Sequence, residues 1–285
     1  MQPLVSVVVP VFNGMPHLRS LAMSLLAQTY PNVEIIFSEG GGADASAEYL
    51  REIKDSRVRV VSMPQGTSAA RNWTAVTMAA SGEFTKLICQ DDLLAPQAIE
   101  YQVKDLLDNA AAVMAVAQRD IVDAQGNTLY RTRGLAGLPR HERSVNGSEL
   151  IRTCYLQGTN IIGEPLAVLF RTSELQAAMP WNDVNPLMLD LSMYQRVAPM
   201  GDVALRRESV GAFRVSSSSW STRLAKQQIE QTRRWQEEFA ANAQPPVTAR
   251  ERRRAAIGRH KQTTLRRAAY TVLRFKGALR SESSS

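Results

Sequence analysis

Two adjacent carboxylates, Asp91 and Asp92, follow an apolar run that ends at Cys89, with Gln90 before them and Pro96 after. Adjacent carboxylates repel each other and are costly unless a cation or hydrogen-bond donors neutralise them. A hard divalent cation that bridges to a diphosphate is one chemistry that uses such a pair. The competing reading is a solvated turn that caps a helix over 96–109. A second cluster is Ser38-Glu39-Gly40-Gly41-Gly42-Ala43-Asp44, whose glycines permit close approach of a ligand to the backbone. Gly40, Gly42 and Ala45 satisfy the loose dinucleotide pattern G-x-G-x-x-G/A. The match follows the second strand rather than the first, and the acidic residue that the pattern requires about 20 residues on is absent. Asp44 reads as a helix cap. The third candidate is Asp190, a single acid within Leu187-Met-Leu-Asp-Leu-Ser-Met-Tyr194. In a semi-buried cleft such an acid can serve as a general base with a pKa tuned by burial. The alternative is an exposed helix residue paired with Arg196. No Gly-x-Ser-x-Gly elbow, Walker loop or HExxH is present.

The elements around these residues follow from hydrophobic periodicity. Val5–Val9 is a short β-branched run of the kind found in buried parallel strands. Leu18, Leu21, Leu25 and Leu26 stand at helical spacing within 17–28. Strands are expected over 33–37, 57–61, 83–89 and 112–118, and helices over 44–54, 68–80 and 96–109. This alternation predicts an α/β fold with a mostly parallel central sheet and helices on both faces. In such sheets ligands gather beyond the carboxyl ends of the strands. The turns at 10–14, 38–44 and 90–92 all fall there. From about 119 to 200 the pattern is less regular. It shows a hairpin turn at 123–127, a Gly/Pro/Arg-rich loop at 134–143, and helices over 146–156 and 186–197. Strand-like segments over 203–215 and a helix over 222–241 precede Pro245-Pro246.

Composition removes several classes. With 285 residues and 44% hydrophobic content, the chain can build a core and is not wholly disordered. No run of about 18 apolar residues suggests a membrane span. The opening Met-Gln-Pro-Leu-Val-Ser lacks the basic and apolar regions of a secretion signal, so a cytoplasmic location is expected. Two cysteines are too few for a disulfide scaffold or a cysteine-rich zinc site. His17, His141 and His260 are too scattered for a His-based metal cluster.

Together, Val5-Ser-Val-Val-Val-Pro-Val-Phe-Asn13, Ser24 to Ile36, Glu39-Gly-Gly-Gly-Ala-Asp44, Ala80-Ser-Gly-Glu-Phe84 and Gln90-Asp-Asp92 closely resemble family 2 glycosyltransferases of the GT-A fold. The resemblance covers roughly residues 4–220. Gly158 to Pro165 and Gly211 to Val215 also look like segments of bacterial members. The resemblance implies transfer of a sugar from a nucleotide-sugar donor, a UDP-sugar first among them, to a saccharide or lipid-linked acceptor. It also implies inversion and Mg²⁺ or Mn²⁺. Pro10, Val11 and Phe12 would line the base and ribose pocket, Glu39 would contact the nucleoside, and Arg71 would lie near the base or diphosphate. Asp92 would be the metal ligand, and Asp91 the contact to ribose or donor sugar. Asp190 would deprotonate the acceptor, with Asp183 as its rival, and Asn160 and Glu164 would lie by the acceptor. Residues 1–118 would form the nucleotide-sugar-binding half of a 1–220 domain, 119–220 the acceptor half, and 221–285 a helical basic extension. Two departures stand out. Glu39-Gly40 replaces the usual two acids, and Ser216 to Ser219 stand where many members carry a His. They keep open a second reading, a non-catalytic sugar-nucleotide-binding or scaffold protein on the same fold.

The net charge of +7 is unevenly placed. Residues 245–285 carry nine Arg and two Lys against Glu251 and Glu282, a balance of +9, so the preceding 244 residues total −2. With Leu265, Ala269, Val272, Leu273 and Leu279 as a modest apolar face, the segment 250–280 could lie on an anionic membrane surface. Peripheral attachment at the inner face of the plasma membrane follows from this reading. A solvated or partner-binding tail is the alternative, and no nucleic-acid partner is expected.

Overall fold

The computed structural model describes residues 2–216, 224 and 227–275. Its first half alternates strand and helix: β1 (Val5–Val11), α1 (His17–Leu26), β2 (Val33–Glu39), α2 (Ser46–Glu52), β3 (Val58–Ser62), α3 (Ala69–Met78) and β4 (Phe84–Leu87). After a short β5 (Leu93–Leu94) come α4 (Ala98–Asp108) and the long β6 (Ala112–Val122). β3, β2, β1 and β4 are neighbours in that order, and every pairing among them is parallel. Every residue of β1 is buried, as expected for a central strand covered on both faces. Its side chains alternate between two cores. Val7 and Val9 pack with Leu18, Leu21 and Leu25 of α1, whereas Val8 packs with Val76 of α3 and Leu87. Each such buried aliphatic side chain contributes roughly 1.5–3 kcal/mol.

The second half continues with β7 (Thr128–Arg133), β8 (Ser144–Asn146), α5 (Gly147–Gln157), β9 (Val168–Arg171), α6 (Thr172–Ala177), α7 (Leu189–Val197) and β10 (Asp202–Arg214). β9 inserts antiparallel between β4 and β6, and β10 runs parallel to β6. The main strands therefore share one direction, while β5, β7, β8 and β9 run against their neighbours. The joint at β9 is fastened by Lys86, which is fully buried. Its Nζ donates to Gln102 Oε1 at 2.7 Å and to the carbonyls of Leu166 and Val168 at 2.5 and 3.3 Å. Burial without a counterion holds this ammonium down to a pKa of about 7.

The expected helices over 146–156 and 186–197 are present. Asn146 caps α5, its Oδ1 accepting from Ser148 N and Glu149 N. A 3-10 turn at Pro186–Met188 leads into α7. β5, β8, β9 and α6 were not anticipated. β5 and β8 are two and three residues long, and β9 is four. Runs this short carry too little periodicity to separate from loops.

The helix expected over 222–241 is α8 (Gln228–Asn242), and its expected start lies outside the described residues, as does the boundary at 220/221. The basic segment forms α9 (Ala249–Phe275), which folds back on the body instead of extending from it. Its Ala255 joins the same core as Trp235 of α8 and Tyr155 of α5. Arg152 and Glu251 pair at 2.8 Å, and Gln236 Nε2 donates to the carbonyls of Tyr155 and Ala255. α9 crosses the C-terminus of α5 where two glycines meet. Gly158 caps α5 at φ +64, and a Cβ there would lie 2.3 Å from Arg259 N. A Cβ at Gly258 would lie 2.7 Å from the Leu156 and Gln157 carbonyl oxygens.

Candidate active site

Hydrogen bonds join the three turns beyond the strand ends. Gln90 Oε1 accepts from Phe12 N at 2.7 Å, and its Nε2 donates to Phe12 O at 2.8 Å. Asn13 Oδ1 accepts from Ala43 N at 2.8 Å. Asp44 stands one residue before the Ala45 cap position of α2, where it accepts from Met15 N and from Ser46 N and so cross-links the turns. Pro10 and Val11 are buried at the end of β1, while Phe12 turns outward and is 52% exposed. Glu39 uses Oε1 to accept from Gly41 N and Gly42 N, bracing its own turn. The neighbouring Gly40 is enforced by space, since a Cβ there would lie 2.9 Å from Val11 O. A second acid at this position has no room.

The two aspartates part company at the 90–92 turn. Asp91 lines the central cleft, whereas Asp92 is 0% exposed behind it. Asp92 Oδ1 accepts from Arg214 N at 3.1 Å, and its Oδ2 is buried without a hydrogen-bond partner among the described residues. Burial, reinforced by Asp91, pushes the Asp92 carboxyl well above its ordinary value. The Arg214 guanidinium holds the turn through Asp91 O at 2.9 Å and Ala124 O at 2.8 Å. Register shifts along β10 bring Arg214 to this position. A buried carboxylate oxygen left unpartnered beside a second carboxylate suits a divalent cation. No group of three His, Cys, Asp or Glu among the described residues has metal-binding spacing. A cation held by Asp91 and Asp92 would therefore find no third His, Cys, Asp or Glu ligand among the described residues.

The cleft measures about 210 Å³ and gathers Asp91, Arg119, Asn160, Glu164 and Asp190 around Cys89. That volume is below the roughly 300–1,000 Å³ of whole-ligand pockets. It matches the meeting point of two substrates better than an entire nucleotide-sugar. Asp190, on the first turn of α7, accepts from Leu191 N at 2.7 Å and from Asn160 Nδ2 at 2.9 Å. Asn160 is itself fixed by Ile162 N and Gly163 N, both at 3.0 Å from its Oδ1. Burial, then the nearby Glu164 carboxylate, raise the Asp190 pKa to about 7. Glu164 pairs with Arg119 at 2.5 Å. The Cys89 thiol lies among these acids and is pushed well above its ordinary value. Burial comes first, but Asp92, Asp91, Asp190 and Glu164 all raise it further.

Asp91, Asn160, Glu164 and Asp190 thus meet in one cleft, with Asp92 immediately behind. Pro10, Val11, Phe12 and Glu39 lie outside its lining, on the hydrogen-bonded turns at the ends of β1 and β2. Arg71 and Asp183 line a separate hollow beside Trp181 and Arg196. Sequence reasoning missed Gln90's clamp, Arg119, Arg214 and Arg266, the last reaching the cleft from α9. Arg119 did carry a signal, being a charged residue within a largely apolar strand, whereas Arg214 is one of five charged residues in β10. Arg266 carried none beyond membership of a basic run.

Comparison with known proteins bears on family and fold. A Haemophilus influenzae protein described as an uncharacterized glycosyltransferase is 34% identical over 131 residues, 45% of this chain and 51% of that protein. Glycosyltransferase GlyG of Streptococcus pneumoniae is 29% identical over 136 residues, 47% of this chain and 45% of that protein. The matched segment thus spans about half the length of these relatives. Among solved structures, S. aureus TarS 1-349 in complex with UDP-GlcNAc superposes with a TM-score of 0.64 at 15% identity, covering 90% of this chain and 72% of that chain. Mannosyltransferase PcManGT from Pyrobaculum calidifontis, in complex with GDP-Man and Mn²⁺, gives 0.59 at 14% identity over 98% of this chain and 82% of that chain. These likenesses show the GT-A type of fold. The pattern described as Glycosyl transferase family 2 matches residues 6–172, more than half of the chain, and the protein belongs to that family.

Proposed function

We propose that this glycosyltransferase moves one sugar, with inversion, from a nucleotide-sugar donor to a saccharide or lipid-linked acceptor of a cell-surface polysaccharide or glycolipid. A UDP-sugar is the first candidate donor. The observation that carries this reading is the meeting of Asp190 with the Asp91–Asp92 turn in one cleft, across about a hundred residues of chain. Residues 1–118 would hold the donor, with the nucleoside against Pro10, Val11, Phe12 and Glu39 and its ribose or sugar at Asp91. Residues 119–220 would hold the acceptor near Asn160 and Glu164. Arg71, which lines a hollow beside the cleft rather than the cleft itself, would lie near the base or diphosphate. Asp183 lies in the same separate hollow, which favours Asp190 as the base.

The acceptor oxygen attacks the anomeric carbon and forms the new glycosidic bond. The bond from that carbon to the phosphate oxygen breaks, and the nucleoside diphosphate leaves with the electron pair. Asp190 takes the acceptor's proton, and Asn160 holds its carboxylate in orientation. A base with a pKa near 7 is matched to neutral working conditions. When bound at Asp92 and Asp91, Mg²⁺ or Mn²⁺ would offset charge on the diphosphate.

The test is transfer across a panel of UDP- and GDP-sugars with Mn²⁺, Mg²⁺ or chelator. Asp92→Ala should abolish metal-dependent transfer, and a fully active variant would reject the metal assignment. Tight nucleotide binding with no turnover on any acceptor would instead favour the scaffold reading.

The outer face of α9 supports attachment to an anionic membrane, and with it a cytoplasmic, membrane-peripheral location. Arg250, Arg253, Arg254 and Lys261 are exposed there alongside Ile257, Leu265 and Val272. Each cation close to such a surface contributes about 1 kcal/mol. No helix among the described residues is long and apolar enough to cross a membrane. Reversing Arg253 and Arg254 to Glu should release the protein from anionic vesicles in a sedimentation assay. Equal partitioning of variant and parent would remove the membrane reading.

A further inference from the structure

The inner face of α9 carries a different message from its outer face. Arg266 is nine residues beyond Ile257, and at 100° per residue this places the two about 180° apart around the helix. Ile257 faces solvent at 61% exposure, while Arg266 is half-buried and lines the cleft with Asp91, Glu164 and Asp190. The other guanidiniums near this cleft are already committed. Arg119 is paired with Glu164, and Arg214 is spent on the carbonyls of Asp91, Asp123 and Ala124. Arg266 makes no side-chain hydrogen bond or ion pair among the described residues. Among the described residues, the cleft therefore presents the Arg266 guanidinium with donors available to a ligand. Five N–H donors in a planar fork match phosphate oxygens better than any neutral sugar hydroxyl.

We propose that Arg266 receives the diphosphate of the departing nucleotide, which makes the C-terminal helix part of the catalytic machinery. The inference rests on the glycosyl-transfer reading above. As the bond to the anomeric carbon breaks, the β-phosphate oxygen takes the electron pair and gains negative charge. A fixed guanidinium interacts more strongly with that oxygen in the transition state than in the bound donor. The contribution thus falls on kcat as well as on donor affinity. It also explains why a helix with a strongly cationic outer face is fastened to the body at the Gly158–Gly258 crossing and the Arg152–Glu251 pair.

The test uses the full chain and its Arg266→Ala and Arg266→Lys variants, with calorimetric titration of UDP, GDP, UMP and uridine. Arg266→Ala should weaken binding of the preferred nucleoside diphosphate by about tenfold or more, as expected for a lost hydrogen bond to a charged group. Uridine affinity should be unchanged, and Arg266→Lys should recover part of the loss. In transfer assays kcat should fall with the alanine variant. Unaltered diphosphate affinity and unaltered kcat would overturn the proposal. A rise confined to the acceptor KM would also overturn it and assign Arg266 to an acceptor anion instead. Equal thermal melting of the lysine variant and the parent keeps the comparison free of folding effects. A parent protein that binds no nucleoside diphosphate would sink the functional reading itself, whereas equal binding by parent and alanine variant sinks only the role of Arg266.

Discussion

The two sides of the cleft are built by different means. On the proposed donor side, site residues sit at the ends of β1, β2 and β4 and are placed by parallel ladders running through buried Val, Ile and Phe residues. The turns there are held mainly by bonds to backbone groups, such as Gln90 to Phe12 and Glu39 to Gly41. On the proposed acceptor side, Asp190 rides on a helix and is oriented by one side-chain amide, while Glu164 is oriented by one guanidinium. A ladder distributes positioning over many bonds, whereas a side-chain pair concentrates it in one. Single substitutions of the residues that brace the site, as distinct from the metal-binding aspartates, should therefore harm chemistry more on the proposed acceptor side and stability more on the proposed donor side.

The largest expected effect is Asp190→Asn. Loss of a general base should lower kcat by about 10²–10⁴ with donor affinity nearly unchanged. Unchanged single-turnover transfer would reject the assignment. The same variant should be more stable. The carboxyl's pKa is raised from 3.8 to about 7 on folding, so its neutral form is favoured and the wild type loses stability as pH rises through that window. Asn stays neutral, and the Tm advantage of the variant should grow from pH 4 to pH 7. In a domain of this size each kcal/mol is worth about 2–4 °C.

Asn160→Ala should have an intermediate effect. Its amide favours the ionised Asp190, so removing it should move the acid limb of the pH–rate profile upward. Activity at pH 7 should drop by about tenfold, consistent with the loss of one hydrogen bond to a charged group. Partial recovery at higher pH separates this effect from a folding defect. An unmoved acid limb would break the link between the two residues.

The smallest effect on chemistry should come from the glycine behind the turn after β2. Gly40→Ala places a Cβ 2.9 Å from Val11 O and should cost about 1–3 kcal/mol of stability, read as a lowered denaturation midpoint. The wild-type kcat should survive below the melting transition. A large loss of kcat with an unchanged midpoint would erase the contrast between the two sides.

The same contrast decided what could be read from the sequence. β1, β2 and α1 were legible because Val5–Val9 and Leu18, Leu21 and Leu25 encode their burial in local spacing. The Asp91–Asp92 turn was legible because it directly follows such a strand. β9 was not, because its placement depends on Lys86 and Gln102, which lie more than 60 residues away in sequence. Asp190 was visible as an isolated acid, but the Asn160 amide that orients it is 30 residues away. Lys86 reads as an ordinary charged residue, and only the folded structure surrounds it with carbonyls. The basic segment was read as a charged run. Its inner face emerged only once α5 and α8 supplied the surface against which it folds.

The Gly158–Gly258 crossing acts as a fulcrum. Arg266 lies eight residues along α9 from Gly258, a lever arm of about 12 Å. A methyl group at either glycine would pry the two helices apart, and a tilt of about 10° there would swing the far end by about 2 Å, enough to take a guanidinium out of hydrogen-bond reach. The two smallest side chains in the interface therefore set the aim of one of the largest in the cleft.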